Sequence, residues 1–289
     1  NQGVELDLNY TAITKKDLSL DFTVNWARNR NEVTALAGTN TITLAGGGGS
    51  VSSNAVVGEQ LGVLFGTGSQ TDANGDFILD DNGFPQLTSS PIVLGDPNPD
   101  WRGGFGFNFR WKNLGLNVLL EHSQGGAFSP RTLWVLRRFG TTTETSSRIT
   151  LDQALKNFDG DLIAAGTTVR GNIRDFGAGP VLLDETWYRH GIGGGFGDNQ
   201  AYNFSIKDAT FTKLREVTLS YTFQGKAFRD ATPFQSIIIA ATGRNILNIN
   251  NIDGIDPETN QGGVGNALGL DYFTNPQTAS FLFSLGIEF

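Results

Sequence analysis

Four oxygen-bearing side chains in one stretch of the sequence have the spacing of a calcium loop. Asp72, Asn74 and Asp76 occupy the first, third and fifth positions of such a loop, and Asp80 follows them. The sixth position, which is usually Gly, is Phe77, and no Glu stands at the twelfth. Two interpretations stay open: these four residues hold a structural Ca²⁺, or they form an acidic turn in solvent.

A second set of residues could bind an organic ligand through aromatic rings. Aromatic faces beside polar groups suit the capture of sugars or peptides. Such residues occur in stretches of the chain that have no strand pattern. They could instead pack these stretches against one another or against a covering protein. The residues are Trp134, Trp187, Tyr188, His190, Tyr202, Tyr272 and Phe273.

Motifs for covalent chemistry are absent from the sequence. There is no Gly-x-Ser-x-Gly, no His-Glu-x-x-His and no P-loop, His122 and His190 are the only histidines, and cysteine is absent. The net charge of −8 and the lack of a basic stripe argue against nucleic acid as a partner. We therefore expect neither an enzyme nor a nucleic-acid-binding protein.

The elements that must position these residues are β-strands. From Ala279 to Phe289, apolar side chains alternate with small or polar ones, a period of two that is typical of a strand with one apolar face. Glycine is 38 of 289 residues and charged residues are 17%, which favours strands and turns over helices. No apolar run approaches the roughly 18 to 20 residues of a membrane-spanning helix. The apolar face could contact a soluble core or lipid.

The connections between the alternating segments favour lipid. Short turns alternate strictly with long stretches, as in transmembrane barrels, whose turns are periplasmic and whose long loops are extracellular. A seven-stranded sheet with unpaired edges is not viable in lipid. The sequence therefore predicts an all-β protein, a transmembrane antiparallel β-barrel of which residues 1-289 are the carboxyl-terminal portion. The predicted strands lie near 3-13, 17-28, 101-111, 114-122, 208-223, 235-246 and 278-289, and the predicted extracellular loops at 30-100, 123-207 and 247-277.

Aromatic residues provide a check on the length of these strands. Trp101 and Trp111 lie on one face, ten residues apart. At about 3.3 Å per residue and a tilt near 40°, they are separated by roughly 25 Å along the membrane normal, the height of the apolar band between aromatic girdles. We expect Trp26 to join Trp101 in the outer girdle. The inner girdle would hold Trp111, Tyr10, Tyr221 and Phe289.

Charged residues on the opposite face of the strands should point into the lumen. There they could contact a plug or a substrate path, or they could solvate the lumen and pair across strands. These residues are Asp7, Asp21, Arg102, Arg110, Glu121 and Glu216.

Several short motifs have an order and spacing that are more specific than any one of them. They are Asn1-Gln2-Gly3-Val4-Glu5-Leu6, Gly95-Asp96-Pro97-Asn98-Pro99-Asp100-Trp101, Trp111-Lys112-Asn113-Leu114, the stretch from Ala209 to Tyr221, Gly243-Arg244-Asn245-Ile246-Leu247, Gly254-Ile255-Asp256-Pro257-Glu258 and the terminal strand with Phe289. Together, over most of the chain, they resemble the carboxyl-terminal barrel region of SusC/RagA-type TonB-dependent transporters, the outer-membrane nutrient importers of Bacteroidetes.

This resemblance implies a 22-stranded barrel closed by an amino-terminal plug, of which the chain would supply the last seven strands. It also implies uptake of oligosaccharide or oligopeptide, with a SusD-like surface lipoprotein as a lid and TonB acting through a plug outside this chain. Phe289 fits the terminal aromatic signal of the barrel assembly machinery, and outer-membrane lipid would surround the strands. A passive porin or adhesin, a barrel of a surface secretion complex and a soluble β-sandwich are the alternatives.

Overall fold

The computed structural model describes residues 1–46, 51–189, 200–263 and 265–289. Its largest element is an antiparallel sheet of seven long strands, which neighbour one another in chain order. Each strand forms where apolar and polar residues alternate, because this pattern gives one apolar and one polar face. The strands are β1 (Gln2–Lys15), β2 (Leu18–Arg30), β3 (Trp101–Trp111), β4 (Leu114–Gln124), β5 (Phe211–Gln224), β6 (Ser236–Asn250) and β7 (Ser280–Glu288).

The strand bounds differ from the expected ones mainly at the loop ends. β2 and β4 each run two residues further and β6 four residues further, while β5 begins at Phe211 rather than near 208. Lys207 and Asp208 instead pair with Phe128 and Ala127, outside the seven-stranded sheet. We name the three long connections L1 (31–100), L2 (125–210) and L3 (251–279).

L1 is more regular than the sequence pattern indicates. It holds a four-stranded antiparallel sheet, although residues 30–100 show no sustained alternation. These strands are two to three times shorter than the barrel strands, so a period of two has little room to show in the sequence. They are Thr41–Gly46, Ser52–Val56, Val63–Gly66 and Ile92–Gly95.

L2 and L3 consist mainly of short strands and short helices. The helices of L2 are α1 (Arg131–Arg138), α2 (Thr143–Ser146) and α3 (Glu185–Arg189), with a 3₁₀ turn at Tyr202–Phe204. L3 contains the short strand Leu270–Asp271, which pairs in parallel with Ser129 and Pro130 of L2. The short strands of L2 are Ala127–Pro130, Arg148–Thr150, Leu155–Lys156, Leu162–Ile163, Thr168–Arg170, Asn172–Asp175, Pro180–Leu183 and Lys207–Asp208.

The buried apolar clusters lie in these loops. One joins Phe84 of L1 to Trp187 and Tyr188 of L2. Another joins Leu64 of L1, Trp134 of L2 and residues of L3. The three loops therefore pack into one cap at one end of the long sheet.

The short connections lie at the other end of the sheet. Lys16 and Asp17 join β1 to β2, and Lys112 and Asn113 join β3 to β4. Lys112 adopts the left-handed φ of 52° that such a tight turn requires. β5 and β6 are joined through the short helix α4 (Lys226–Ala231).

The apolar face of the seven-stranded sheet is exposed. Phe283 is 84% exposed, and Leu8 and Leu219 each remain about half exposed. A soluble β-sandwich would bury this face under a second sheet. The exposed face instead suits contact with lipid, where the outward side of a barrel is apolar. No helix among the described residues is long and apolar enough to cross a membrane.

The sheet is open within this chain. β1 and β7 are its two edges, and among the described residues neither has a second neighbour. In hydrocarbon the unpaired N–H and C=O groups of such edges each cost several kcal/mol. Further strands must therefore complete the barrel.

We expect Phe283→Arg to prevent membrane insertion of the full-length protein. A cation on the lipid face near the middle of a strand costs about 2–4 kcal/mol. Ser284→Arg is the matched control, because it places the same cation one residue along β7, on the lumen face. This variant should insert normally. Both variants are scored by the heat-modifiable folded band in the outer-membrane fraction, and equal insertion of the two would contradict the assignment of faces.

Candidate functional site

A cleft of about 580 Å³ lies between the lumen face of the long sheet and L3. Its size is within the range of about 300–1,000 Å³ that is usual for small-ligand sites. One wall comes from β3, β4 and β5, and the other from L3, with the start of L2 and the end of L1 between them. The wall residues of the sheet are Arg102, Ser123 and Phe211, and those of L3 include Glu258, Thr259 and Asn260.

The motif from Gly95 to Trp101 shapes the end of L1 beside this cleft. The carboxylate of Asp96 accepts the backbone N–H of Asn98 at 2.9 Å, which makes the local turn. Asp100 forms an ion pair with Arg30 at the end of β2. Gly126 faces this segment with a φ of 92°, and a Cβ there would lie 2.9 Å from the carbonyl oxygen of Pro97. Glycine is therefore required at position 126.

An ionic cluster holds L3 against the sheet beside the cleft. The side chain of Lys213 in β5 is only 2% exposed. Its Nζ lies 2.7 and 2.8 Å from the two carboxylate oxygens of Asp256 and also contacts Glu258. A buried ammonium is stable only when it is paired and hydrogen-bonded, as it is here. Lys213 therefore anchors the start of L3 to the wall.

Arg215 extends this cluster across the sheet. β5 has a bulge between Leu214 and Glu216, which gives Arg215 no direct partner in the neighbouring strands. Its Nε donates to Glu121 of β4 at 2.6 Å, and its guanidinium also pairs with Glu258. The bulge thus lets one arginine join β4, β5 and L3.

Glu258 is the carboxylate shared by both cations. Burial raises its pKa, but the hydrogen bonds from Arg215 and Lys213 outweigh this effect, so the pKa lies below its ordinary value. The ring of Phe211 lies 5.0 Å from the Lys213 ammonium, which adds a cation–π contact. Glu258 is therefore ionised at neutral pH and contributes a fixed negative charge to the cleft wall.

The residues of this cluster are not among the site residues predicted from the sequence. A signal was present, because Phe211, Lys213 and Arg215 follow one another at every second position with two cations beside an aromatic ring. The carboxylates that neutralise them, Asp256 and Glu258, are about forty residues further along the chain. Only the fold of L3 brings them together.

Four of the seven predicted ligand-binding aromatics are buried in the cap. Trp134 is fully buried and stacks on Tyr202 with a ring-centroid distance of 5.1 Å. Trp187 and Tyr188 belong to the core shared by L1 and L2. Burial and the charge of Glu144 raise the pKa of Tyr188 to about 12, so its hydroxyl stays protonated. All four rings are thus buried among other cap residues, although Trp134 and Tyr188 line cavities of about 440 and 670 Å³, and their role in binding stays a prediction.

The other three predicted aromatics have different surroundings. Tyr272 is partly exposed, with the guanidinium of Arg131 at 4.6 Å from its ring centre. Phe273 is exposed and adopts a φ of 50°, which is uncommon for a bulky residue. His190 lies outside the described residues. Tyr272 and Phe273 thus keep accessible rings, and their role in binding stays a prediction.

The predicted calcium ligands form two capped turns. Asp72 accepts the backbone N–H groups of Asn74 and Asp76 at 2.8 and 3.0 Å, and these bonds lower its pKa. Asp80 caps the next turn in the same way, through the N–H groups of Asn82 and Phe84. Among the described residues, no three His, Cys, Asp or Glu side chains converge on a metal position. Calcium binding stays a prediction without a geometric site.

Strand register places the predicted girdle residues of the sheet. Trp111 pairs with Leu114, which pairs with Tyr221, so Trp111 and Tyr221 share a row near the short turns. Trp26 pairs with Gly103, close to Trp101 at the loop end of β3.

Phe289 and Tyr10 occupy different levels of the sheet. Phe289 follows the last residue of β7, and its ring lies 5.3 Å from that of Phe234 in the connection between β5 and β6. Tyr10 pairs with Phe22, which pairs with Phe107 in mid-strand. Tyr10 is therefore not in the register row of Trp111, and its place in the inner girdle stays a prediction.

Charged residues on the lumen face mostly pair across strands. Arg244 contacts Glu216 at 2.9 Å, and Asp21 accepts the hydroxyl of Thr11 at 2.7 Å. Arg102 lines the cleft. These contacts hold neighbouring strands together and leave Arg102 as a cation beside the site.

Lys213→Met should loosen L3, because it leaves the buried carboxylate of Asp256 without its cation. Breaking one side of a buried ion pair costs about 3–5 kcal/mol. Adding Asp256→Asn should restore most of the loss, whereas Arg244→Met, which breaks an exposed pair, should cost about 1 kcal/mol or less. Protease sensitivity of L3 in the purified full-length protein measures this, and equal sensitivity of the Lys213 and Arg244 variants would contradict the anchor.

The anchor should also fail in acid. Because the folded-state pKa of Glu258 is lowered, its contribution is complete above the ordinary carboxyl pKa and is lost as the pH falls through the lower folded value. We expect cleavage of L3 to increase in that acid range. Glu258→Gln should show the cleaved, loosened state already at neutral pH and lack the acid transition; an unchanged transition in this variant would assign it to another group.

Comparisons with known proteins agree with this architecture. No protein-family model matches the chain. The TonB-dependent receptor P3 of Formosa agariphila is 22% identical over 317 residues, covering 100% of this chain and 28% of the receptor. Chains of the RagAB peptide transporter and of the RagAB peptide importer in its "closed-closed" state superpose with TM-scores of 0.61 and 0.62, each at 16% identity over 99% of this chain and 29% of theirs.

The chain therefore spans less than a third of the proteins that it matches, and 22 strands remain an expectation rather than an observation. The aligned region includes the seven long strands and the three long loops, since it covers nearly the whole chain. The predicted resemblance to SusC/RagA-type TonB-dependent transporters is thus confirmed, and the fold of this chain is that of a portion of their transmembrane barrel.

Proposed function

We propose that this chain is part of an outer-membrane importer that takes up oligopeptide or oligosaccharide through a plugged, TonB-dependent barrel. One observation carries the proposal. The sheet exposes its apolar face outward, and a cleft of about 580 Å³ lies between its lumen face and the folded cap of long loops. A barrel of this kind binds its substrate at the mouth and makes no covalent change to it.

The contacts of the cleft suit a polar, uncharged or zwitterionic ligand. Arg102 offers a cation on one side, and the other side is lined by the paired carboxylate of Glu258 and the hydrogen-bonded amide of Asn260. A peptide or a sugar carries donors and acceptors that match such a set. The RagAB relatives transport or import peptide, which favours peptide as the first substrate class to test.

The cap gives a physical route from binding to transport. L3 forms one wall of the cleft and is tied to β5 through Lys213 and Asp256. A ligand that contacts L3 therefore acts on a segment that is fixed to the barrel wall. The lumen beneath would be filled by a plug outside this chain, on which TonB would act.

The partners follow from the same proposal. A SusD-like lipoprotein would cover the cap formed by L1, L2 and L3, outer-membrane lipid would surround the apolar face, and the barrel assembly machinery would insert the strands. Phe289 would take part in that insertion step through its exposed ring. Phe139 and Phe273 are exposed aromatics of the cap that a covering protein or ligand could contact.

Uptake by whole cells tests the transport proposal. Cells that carry the full-length gene should accumulate a labelled oligopeptide or oligosaccharide mixture, and the same cells without TonB should not, because the energised step is lost. The control is the amount of folded protein in the outer membrane, which should be equal in both strains. Uptake that persists without TonB would support a passive porin, and no uptake of either class in both strains would favour an adhesin or secretion barrel.

A further inference from the structure

Positive charge is concentrated at the short-turn end of the sheet. The three short connections, together with Lys15 at the end of β1, contain five Lys and Arg against two Asp in residues 15–17, 112–113 and 225–235. L1 contains eight Asp and Glu and L3 contains four, and neither has any Lys or Arg. The chain as a whole carries a net charge of −8. The two ends of the barrel wall therefore carry opposite charge.

The three short connections form one continuous rim. The backbone N–H of Lys112 donates to the carbonyl of Asp17 at 2.7 Å, which joins the first turn to the second. The N–H of Thr222 donates to the carbonyl of Asn113 at 2.9 Å, and the Gln224 amide donates to the Asn113 side chain at 3.1 Å. The cations of all three connections thus lie together at the short-turn end of the sheet.

These cations are free to contact a ligand. All five are exposed, and among the described residues none forms an ion pair. They are Lys15, Lys16, Lys112, Lys226 and Arg229.

The rim cations also sit at the boundary of the lipid-facing surface. Lys15 pairs with Leu18, which pairs with Trp111, so its side chain projects from the apolar face at the level of the inner girdle. The ammonium of Lys112 lies 5.5 Å from the centre of the Trp111 ring. Long cationic side chains next to an apolar band place their charged ends at the lipid headgroups.

We propose that this rim binds anionic phospholipid headgroups, such as phosphatidylglycerol, in the leaflet that surrounds the short-turn end. Each exposed Lys or Arg near an anionic membrane surface strengthens binding to that surface by about fivefold at ordinary ionic strength. This inference rests on one part of the proposed function, namely that the strands span a membrane. The rim would hold the barrel at a fixed depth, since its charges stay at the headgroups while the apolar face stays in hydrocarbon.

Spin-labelled lipids test the rim in vesicles that contain the full-length protein. The readout is the ratio of association of labelled phosphatidylglycerol to that of labelled phosphatidylcholine. We expect a ratio clearly above one for the unaltered protein, and a severalfold lower ratio for the variant that combines Lys15→Gln, Lys112→Gln and Lys226→Gln. Salt at about 1 M, where the Debye length is about 3 Å, should lower the ratio of the unaltered protein in the same way.

The matched control combines Arg148→Gln, Lys156→Gln and Lys207→Gln, which remove three cations from L2. It should keep the ratio of the unaltered protein. A ratio of one for the unaltered protein, or an equal loss in both variants, would overturn the rim proposal. Failure of the unaltered protein to insert into vesicles would instead contradict the proposed barrel, so the two results are distinguishable.

Discussion

Backbone hydrogen bonding between antiparallel strands is the constraint on which the rest of this structure depends. Hydrocarbon contains no water to pair with N–H and C=O groups, so each strand must find both neighbours. Because the backbone groups form hydrogen bonds within the sheet, the side chains can point only to its two faces, toward lipid or toward the lumen. The outward set from β1 to β7 is apolar and exposed, and the inward set is polar. The arrangement of polarity is the reverse of that in a soluble protein.

This reversal explains why the apolar cores lie in the loops. The sheet leaves its apolar side to lipid and therefore has no interior of its own, while L1 and L2 are in water and must bury their apolar residues. They do so against each other, around Phe84, Trp134 and Trp187. Connections of this length would be unusual as structureless segments, and here they are small folded units. The ion pairs of Lys213 then connect this cap to the wall beneath it.

The membrane-spanning part was predictable from the sequence because its constraint is local. Alternation within one strand, such as the one ending at Phe289, needs no knowledge of distant residues. Strand register could not be predicted in this way. The bulge at Arg215 and the pairing of Tyr10 with Phe22 depend on neighbouring strands. The site was less predictable still. Trp134 and Trp187 carry the same aromatic signal as an exposed binding residue, and only their packing in the cap shows that they are buried.

Cations of the barrel wall are paired where they meet L3 and exposed at the short-turn end of the wall. L1 and L3 carry acidic residues without a Lys or Arg of their own, and cations from the strands pair with those at the start of L3. Lys213 and Arg215 supply them, and both therefore face inward and are paired. Within the part of the chain that the structure describes, the cations of the short turns form no ion pairs, and they remain exposed. The same residue types thus stabilise the fold at the loop end and are available for headgroups at the other, and burial alone separates these two roles.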